Sequence, residues 1–251
     1  DLTQAVESLA ALDLVQAAAR LAVVLAAEVP RIVAHAEGFD LRQVRHPLLM
    51  LQEKKVRAND IVLAPSAQVL VVSGPNAGGK TVALKCVGLL TLLAQSGLPV
   101  TADAGSELPW FESIVATVGD EQDLLTDRST FSGRLARLAE AYRAAGPRAL
   151  ALLDELGSGT DPEEGAALSV ALVEQLVAHQ GLALVTTHLT AVAAAAMELP
   201  GASCAAMEFD PASGRPTFRL RPGSPGGSEA LALARRMELP AAWIARAESI
   251  L

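Results

Sequence analysis

The chain has 251 residues, of which 51% are hydrophobic, so it has ample apolar material for a buried core in one large domain or two modest ones. Its formal net charge of -8 argues against a strongly basic nucleic-acid surface over the whole chain and leaves room only for a local basic patch. Cys86 and Cys204 are too few for a disulfide framework and no Cys/His cluster has zinc spacing, which favours a reducing, cytoplasmic location.

The first stretch, residues 2–29, is rich in Ala, Leu and Val, and its apolar spacing predicts one long helix or two shorter ones before Pro30. This helix either packs on the core or is the end of a helical arm. Because the chain opens without Met and inside the helical pattern, we expect a fragment of a longer polypeptide. No apolar run reaches the ~20 residues needed to cross a bilayer and no signal peptide opens the chain, so we expect a soluble protein without a membrane partner.

Short strands are predicted between Phe39 and Leu63, where apolar and polar runs alternate. The next apolar run, residues 69–72, breaks into glycines that fit G-x-x-x-x-G-K-[ST], and residues 82–93 can form the helix that follows. In such a loop the backbone N–H groups surround phosphates, the lysine neutralises β/γ charge, and the hydroxyl binds Mg²⁺. The sequence therefore predicts a site for ATP or GTP. Its residues are Gly74, Pro75, Asn76, Ala77, Gly78, Gly79, Lys80 and Thr81.

Two further strands are predicted, one after a turn at residues 97–100 and one at 114–119. The acidic cluster at 120–123 is either a solvated loop or a contact to metal or water. Ser129 then precedes a helix predicted over residues 134–145. It is well placed as a helix cap, and capping alone would explain a serine there.

An apolar strand at residues 149–153 ends in Asp154 and Glu155. In a chain that carries a phosphate loop, the first carboxylate of such a pair holds Mg²⁺, and the second orients and deprotonates the attacking water. A glycine-rich turn at 157–165 then leads into a helix predicted over about residues 166–180. The next strand, 182–188, ends in His188, and ligands collect at the carboxyl ends of strands in such sheets. His188 is therefore a candidate γ-phosphate sensor, although a lone histidine is usually structural.

The C-terminal part of the chain predicts a hairpin of two strands, at 204–209 and 216–220. Helices at 229–237 and 240–251 resemble a helix-turn-helix pair. The last helix lacks the basic residues of a DNA reader, so a dimer contact is expected instead.

Five segments together resemble the ATPase domain of the MutS family and span residues 74–239: GPNAGGKT, STFSG, LLDELGSGTDPEEG, VTTHLT and PGSPGGSEALALARRMELP. The forms GSGTDPEEG and STFSG are most like the second bacterial MutS paralogue, which lacks the mismatch-reading domains and usually carries a C-terminal Smr nuclease domain. The initial helix and RHPLL match the end of the family's core and clamp region. The mismatch-reading Phe-x-Glu motif and an Smr domain are not found in these residues, so neither mismatch recognition nor nuclease activity is expected of them.

The resemblance implies an α/β fold of the ABC type, a P-loop NTPase with a central, mainly parallel sheet flanked by helices. Two such domains of a homodimer would meet head to tail at composite ATP sites. Residues 1–36 would be the end of the helical core or clamp, and 37–251 the ATPase domain, with a dimer segment at about 223–251.

The resemblance also implies a role for each site residue, with ATP and Mg²⁺ as the cofactors. Ser129 would reach the γ-phosphate of the partner's ATP, and His188 would be the switch histidine. Val56 stands where mismatch-repair relatives place a Phe against adenine, so packing on the base would be aliphatic. The residues that would act in cis are Lys80, Thr81, Asp154 and Glu155.

Two functions remain open within the family. The first is an ATPase that acts on branched DNA or recombination intermediates, bound largely outside these residues. The second is an ATPase that acts on stalled or collided ribosomes. A transporter subunit is disfavoured because it would carry Leu-Ser-Gly-Gly-Gln where this chain has Ser-Thr-Phe-Ser-Gly. A small-molecule kinase would need an Arg-bearing lid and no Glu after the Mg²⁺ aspartate.

Overall fold

The computed structural model describes residues 1–34, 38–52, 55–75, 78–118, 130–210, 213, 215–223, 234–235, 237 and 239–249. Over these residues the chain is an α/β protein with two sheets. The strands are β1 (Arg31–Val33), β2 (Phe39–Val44), β3 (Asn59–Leu63), β4 (Val69–Ser73), β5 (Glu107–Pro109), β6 (Ser113–Thr117), β7 (Ala149–Leu153), β8 (Leu182–Thr187), β9 (Ala202–Asp210) and β10 (Arg215–Pro222). The helices are α1 (Leu2–Leu25), α2 (Pro47–Leu51), α3 (Lys80–Gln95), α4 (Thr130–Ala144), α5 (Pro162–Ala178), α6 (Thr190–Glu198) and α7 (Ala241–Glu248).

The larger sheet has six strands in the order β10-β9-β4-β8-β7-β6. Neighbouring pairs from β9 to β6 are parallel, and β10 runs antiparallel to β9 in the predicted hairpin. The strand that leads into the phosphate loop, β4, pairs with β8, and β8 pairs in turn with β7, the strand before Asp154. The phosphate loop and Asp154 therefore follow two strands of the same parallel sheet at the same edge, and a single strand, β8, lies between those two strands.

Every residue of β4, β7 and β8 is buried. Continuous apolar strands of this kind are typical of parallel sheets that are covered on both faces. One face packs against α3 through side chains such as Leu84 and Leu90. The other packs against α5 and α6 through side chains such as Val173 and Val192. The core thus holds the strand ends rigidly, and the site lies at those ends.

A second, four-stranded sheet has the order β1-β5-β2-β3, in which only the β1/β5 pair is parallel. The prediction of a strand directly after residues 97–100 was wrong. Val100 forms an isolated bridge with Glu28, and the next strand along the chain is β5. Between β2 and β3 the chain forms a short helix rather than another strand. Pro47 begins this helix, where its missing N–H and fixed φ are tolerated.

Helix α1 projects from the core, and its one buried residue is Leu25. The side chains whose spacing predicted a packing face are exposed, with Leu2 at 82%, Leu9 at 65% and Leu12 at 64%. The interpretation that α1 packs against this core was therefore wrong for the described residues. The helix has 24 residues and contains an 18-residue window with a mean hydropathy of 1.7, so by length and composition alone it could cross a membrane. The predicted absence of an uninterrupted apolar run of that length still holds, because Glu7, Asp13 and Arg20 lie within α1.

The base of α1 is attached to the four-stranded sheet. Arg45 donates from Nη2 to the carbonyl oxygen of Ala26 at 3.0 Å. Two backbone hydrogen bonds join Glu28 and Val100, at 2.9 Å and 2.8 Å. The helix thus leaves the domain from a defined point, just past the left-handed residue Ala26, whose φ is 44°.

Several helix boundaries differ from the predicted ones. Helix α4 begins at Thr130 rather than near residue 134, and α5 begins at Pro162 rather than near 166. Asp161 explains the earlier start of α5, because its carboxylate accepts hydrogen bonds from two N–H groups of the first turn. Helix α6 had no counterpart in the predicted elements. Of the predicted C-terminal helices, α7 is confirmed at Ala241–Glu248, and most of 229–237 lies outside the described residues.

Candidate nucleotide site

The phosphate loop ends at the N-terminus of α3, which points at the site. Gly79 has a φ of 95°, a conformation that glycine adopts without strain, and Lys80 is the first helical residue. The Lys80 side chain is buried, and its Nζ donates to the carbonyl oxygen of Gly74 at 2.6 Å. The lysine therefore lies across the loop and places a positive charge where a phosphate would bind.

The pKa of Lys80 is lowered from its ordinary value because burial removes water from the ammonium. The carboxylates of Glu155 and Asp154 oppose this shift. A polyphosphate at the same place would add negative charge and favour the charged lysine further. The electrostatics of the loop are thus suited to an anionic ligand.

Asp154 connects the phosphate loop with the end of β7. Its Oδ1 accepts hydrogen bonds from the hydroxyls of Thr81 at 3.2 Å and of Thr186 at 2.5 Å. The Thr81 hydroxyl and the Asp154 carboxylate are the hard oxygen ligands that Mg²⁺ prefers, usually together with phosphate oxygens. No group of three or more His, Cys, Asp or Glu side chains converges among the described residues. The donor set therefore fits a Mg²⁺ that is shared with a nucleotide.

Glu155 adopts a left-handed backbone conformation with a φ of 53°, which residues other than glycine rarely do. Its N–H donates to the hydroxyl of Thr186 at 2.9 Å, and the N–H of Leu156 donates to the carbonyl of Thr186 at 2.8 Å. On the other side, the Ser158 hydroxyl donates to the Glu155 carbonyl at 2.8 Å. Strand β8 and the following turn together hold this backbone conformation at Glu155.

His188 is exposed and comes directly after β8, at the same sheet edge. The hydroxyl of Thr187 donates to the carbonyl of Leu156 at 3.0 Å and accepts from the N–H of Leu189 at 3.1 Å. These bonds fix the backbone on both sides of His188 relative to the turn that carries Glu155. The structure therefore brings Lys80, Thr81, Asp154, Glu155 and His188 to one edge of the sheet.

Close packing requires glycine at both ends of the segment GSGTDPEEG, at Gly157 and Gly165. Gly157 has a φ of 82°, and a β-carbon there would lie 2.5 Å from Leu189 Cδ1 and 2.9 Å from the Gly165 carbonyl oxygen. A β-carbon on Gly165 would lie 2.4 Å from the carbonyl oxygen of Gly157. The two backbones are thus in contact, which closes the turn from Glu155 into α5.

An aromatic side chain that the sequence did not single out also lies at the phosphate loop. A β-carbon on Gly79 would lie 3.3 Å from Phe218 Cδ1. Phe218 is 48% exposed, and its φ of 58° falls where the β9/β10 register shifts. Asn59 fixes this irregularity, because its Nδ2 donates to the Phe218 carbonyl at 2.9 Å and its Oδ1 accepts from the Leu220 N–H at 2.8 Å.

Val56, the residue expected against a base, is half-buried and precedes Asn59 by three residues. A signal for Phe218 existed in the sequence, since it is the one aromatic residue of a strand that is rich in arginine. The β-bulge that turns it toward the loop depends on a partner far away in the chain, which no local pattern gives. Ser129, Asn76, Ala77 and the acidic cluster at 120–123 lie outside the described residues.

The comparisons with known proteins cover almost the whole chain. The family model described as MutS domain V matches residues 70–251. A protein named Endonuclease MutS2 from Anaeromyxobacter sp. (strain Fw109-5) is 44% identical over 97% of this chain and 31% of its own length. The Endonuclease MutS2 of Thermomicrobium roseum is 44% identical over 100% of this chain and 33% of its own length. That of Thermus thermophilus is 46% identical over 98% of this chain and 32% of its own length.

The chain therefore spans about a third of the length of these relatives. The matched region of the family model begins at Leu70 in β4 and includes the phosphate loop, the carboxylate pair and His188. On this match and on the identities of 44–46% across its length, the chain belongs to the MutS family and is similar to the members named Endonuclease MutS2.

Proposed function

We propose that this domain binds ATP with Mg²⁺ and hydrolyses it to ADP and phosphate. The observation that carries the proposal is the 3.2 Å hydrogen bond from the Thr81 hydroxyl to Asp154 Oδ1, which joins the phosphate loop to the acidic strand end. An ordinary glycine-rich turn would have no reason to be coupled to a carboxylate on another strand. In P-loop NTPases these two groups hold Mg²⁺ together.

Each residue of the site then has a separate role in hydrolysis. Lys80 neutralises the β- and γ-phosphate charge, and the phosphate-loop backbone from Gly74 to Thr81 holds the phosphates. Thr81 and Asp154 would hold Mg²⁺, which neutralises charge that develops on the phosphate oxygens. Glu155 orients the attacking water and accepts its proton. His188, exposed at the end of β8, senses the γ-phosphate.

The base would lie between Val56 and Phe218, at the side of the loop where Gly79 lacks a side chain. The contact of Phe218 with Gly79 and the bonds of Asn59 to the bulge support this assignment. An aromatic ring can stack on adenine, so the packing would be aromatic as well as aliphatic. This extends the expectation that rested on Val56 alone.

We further propose the ABC-type arrangement that the family resemblance implies. Two copies would form a homodimer in which Ser129 reaches the γ-phosphate of the partner's ATP. Residues 1–36 would be the end of a helical core or clamp, 37–251 the ATPase domain, and about 223–251 a dimer segment. The mainly parallel sheet with helices on both faces is consistent with this arrangement.

For the whole protein we propose a cytoplasmic, MutS-like DNA-processing ATPase that acts on branched DNA or recombination intermediates. The relatives are named as endonucleases, so nuclease activity would reside in the two-thirds of their length that this chain does not span. Action on stalled or collided ribosomes is the second candidate. A pull-down of the full-length protein with Glu155→Gln, followed by identification of the bound nucleic acid, would separate the two.

The ATPase proposal is tested by Glu155→Gln in the full-length protein. We expect ATP affinity close to that of the wild type and a loss of hydrolysis of at least ~100-fold, because the phosphate loop is intact while water activation is lost. Glu112→Gln is the matched control, because Glu112 is exposed and pairs with Arg148 at 2.8 Å on the surface. A variant that loses nucleotide binding and turnover equally would contradict the role given to Glu155.

A further inference from the structure

Thr186 is a fully buried polar residue at the end of β8, the strand between the phosphate-loop strand and the acidic strand. Its hydroxyl bonds to the carboxylate of Asp154 and to the backbone N–H of Glu155. It accepts from the Glu155 N–H at 2.9 Å and lies 2.5 Å from Asp154 Oδ1. Because a backbone N–H can only donate, the single hydroxyl proton is available for the aspartate. The bond directions are therefore fixed.

These two bonds affect the two carboxylates differently. At Asp154, the hydroxyls of Thr186 and Thr81 share one oxygen, Oδ1, so the carboxylate is oriented by two donors, one on β8 and one in the first turn of α3. At Glu155, the bond holds the N–H of a residue whose φ of 53° is sparsely populated for side-chain-bearing residues. Without the bond, the conformation at Glu155 would depend on the neighbouring bonds of the Leu156 N–H and the Ser158 hydroxyl alone, and the position of the Glu155 side chain would be less closely defined.

We propose that Thr186 is a positioning residue for hydrolysis, which orients Asp154 and sets the direction of the Glu155 side chain through one hydroxyl. This inference rests on the proposed ATPase function. Thr186 does not contact the nucleotide in this scheme, so its loss leaves ATP binding nearly intact. Its loss instead changes the alignment of Glu155, the general base, with the attacking water. Reaction rates are sensitive to misalignment of about 1 Å.

The test uses three variants of the full-length protein. Thr186→Val keeps the shape and the β-branched side chain but removes the hydroxyl, and Thr186→Ser keeps the hydroxyl. Thr91→Val is the matched control, because Thr91 is also buried but its hydroxyl bonds to the Val87 carbonyl within α3, at 2.7 Å. Each variant is measured for melting temperature, ATP affinity, kcat and KM.

We expect Thr186→Val to lower kcat by about 10- to 100-fold with little change in KM or ATP affinity, and Thr186→Ser to restore most of the rate. Thr91→Val should keep the wild-type kcat. A Thr186→Val variant that hydrolyses ATP as fast as the wild type would overturn the positioning role while the ATPase function stands. A wild-type protein that does not hydrolyse ATP would overturn both.

A second measurement distinguishes positioning from general stability. In the Glu155→Gln background, Thr186→Val should reduce the residual single-turnover rate by less than about threefold, because groups that act as a unit are not additive. A full additional loss of 10-fold or more there would mean that Thr186 acts independently of Glu155, which overturns the proposed positioning of Glu155. If Thr186→Val does not fold, Thr186→Ala carries the same comparison with Thr186→Ser.

Discussion

The ring of Phe218 lies so close to Gly79 that a β-carbon on the glycine would be 3.3 Å from Phe218 Cδ1. Phe218 belongs to β10, at the outer edge of the six-stranded sheet, and Gly79 belongs to the phosphate loop. Strand β10, which the sequence predicted as one half of a hairpin, thus places the side chain of Phe218 beside the phosphate loop. This relationship leads to the first prediction.

Phe218→Ala should weaken ATP binding by about 2- to 13-fold, because stacking of an aromatic ring contributes about 0.5–1.5 kcal/mol beyond the area that it buries. Binding of inorganic tripolyphosphate, which has no base, should be unchanged. Both are measured by calorimetry, with Trp110→Ala as the control, since Trp110 is a 52% exposed aromatic residue after β5. An equal loss for both ligands would mean that Phe218 supports the loop rather than the base.

The composite site is tested by mixing two inactive variants. Lys80→Ala removes the loop charge in its own subunit, and Ser129→Arg should damage the site that it faces in the partner. In a mixed dimer one site receives both changes and the other receives neither. With equal amounts and free exchange, half the dimers are mixed and each has one intact site, so roughly a quarter of wild-type activity should return.

Recovery is measured as ATP turnover, and native mass spectrometry shows whether hybrids form. If hybrids form and no activity returns, a hybrid with the wild type separates the two explanations. An inactive wild-type hybrid would mean that hydrolysis needs both sites. An active one would mean that Ser129 acts within its own subunit, contrary to the composite site.

Stability should depend on pH through His46. His46 is 7% exposed, and its Nδ1 has no hydrogen-bond partner among the described residues. Burial lowers the pKa of His46 from its ordinary value, the charge of Lys85 lowers this pKa further, and a backbone hydrogen bond opposes both. The unfolded chain therefore takes up a proton at a higher pH than the folded chain does, so stability is lost as pH falls below about 6.5.

We expect His46 to account for at most about 1.4 kcal/mol of unfolding free energy per pH unit below that point. The measurement is denaturant unfolding at pH 7.5 and pH 5.5 for the wild type and for His46→Gln, which should lose this part of the pH dependence. Lys85→Met should reduce it without abolishing it, since the charge of Lys85 is the second cause. An unchanged slope in His46→Gln would contradict the assignment.

The turn between Glu155 and α5 should not tolerate a side chain at Gly165. Gly165→Ala places a β-carbon 2.4 Å from the Gly157 carbonyl oxygen, so the two backbones must separate. We expect a loss of stability of about 1–3 kcal/mol, the usual range for overpacking, together with a lower kcat. Gly146→Ala is the control, because a β-carbon there meets nothing within 4 Å. Thermal unfolding that is equal in both variants would show that the turn has room to adjust.

The chemistry of the site could be predicted from the sequence because it is encoded in short, contiguous patterns. The residues from Gly74 to Thr81 and the Asp154-Glu155 pair each stand at the end of an apolar strand, and parallel strands bring such ends to one edge. Strand β8 was predicted for the same reason. Its threonines were not singled out, since the bonds of the Thr186 hydroxyl to Asp154 and to the Glu155 N–H become visible only when β7 and β8 are placed side by side.

Other features depend on contacts between distant residues. Phe218 reaches the loop through a bulge that Asn59 holds from a strand 159 residues away. Strand β5 has three residues and exists because it pairs with β1 and β2. The exposure of α1 could not be predicted either. Apolar residues at helical spacing indicate that a surface is suited to burial, but they do not say whether the covering partner belongs to the same domain.

The geometry of α1 has a mechanical consequence. At 1.5 Å per residue, its 24 residues form a rod about 36 Å long. The rod leaves the domain at Ala26, whose carbonyl oxygen accepts a hydrogen bond from Arg45. A rotation of only about 10° at that point would displace the far end of such a rod by about 6 Å. A small rotation of the backbone at Ala26 therefore becomes a displacement of several ångströms at Asp1.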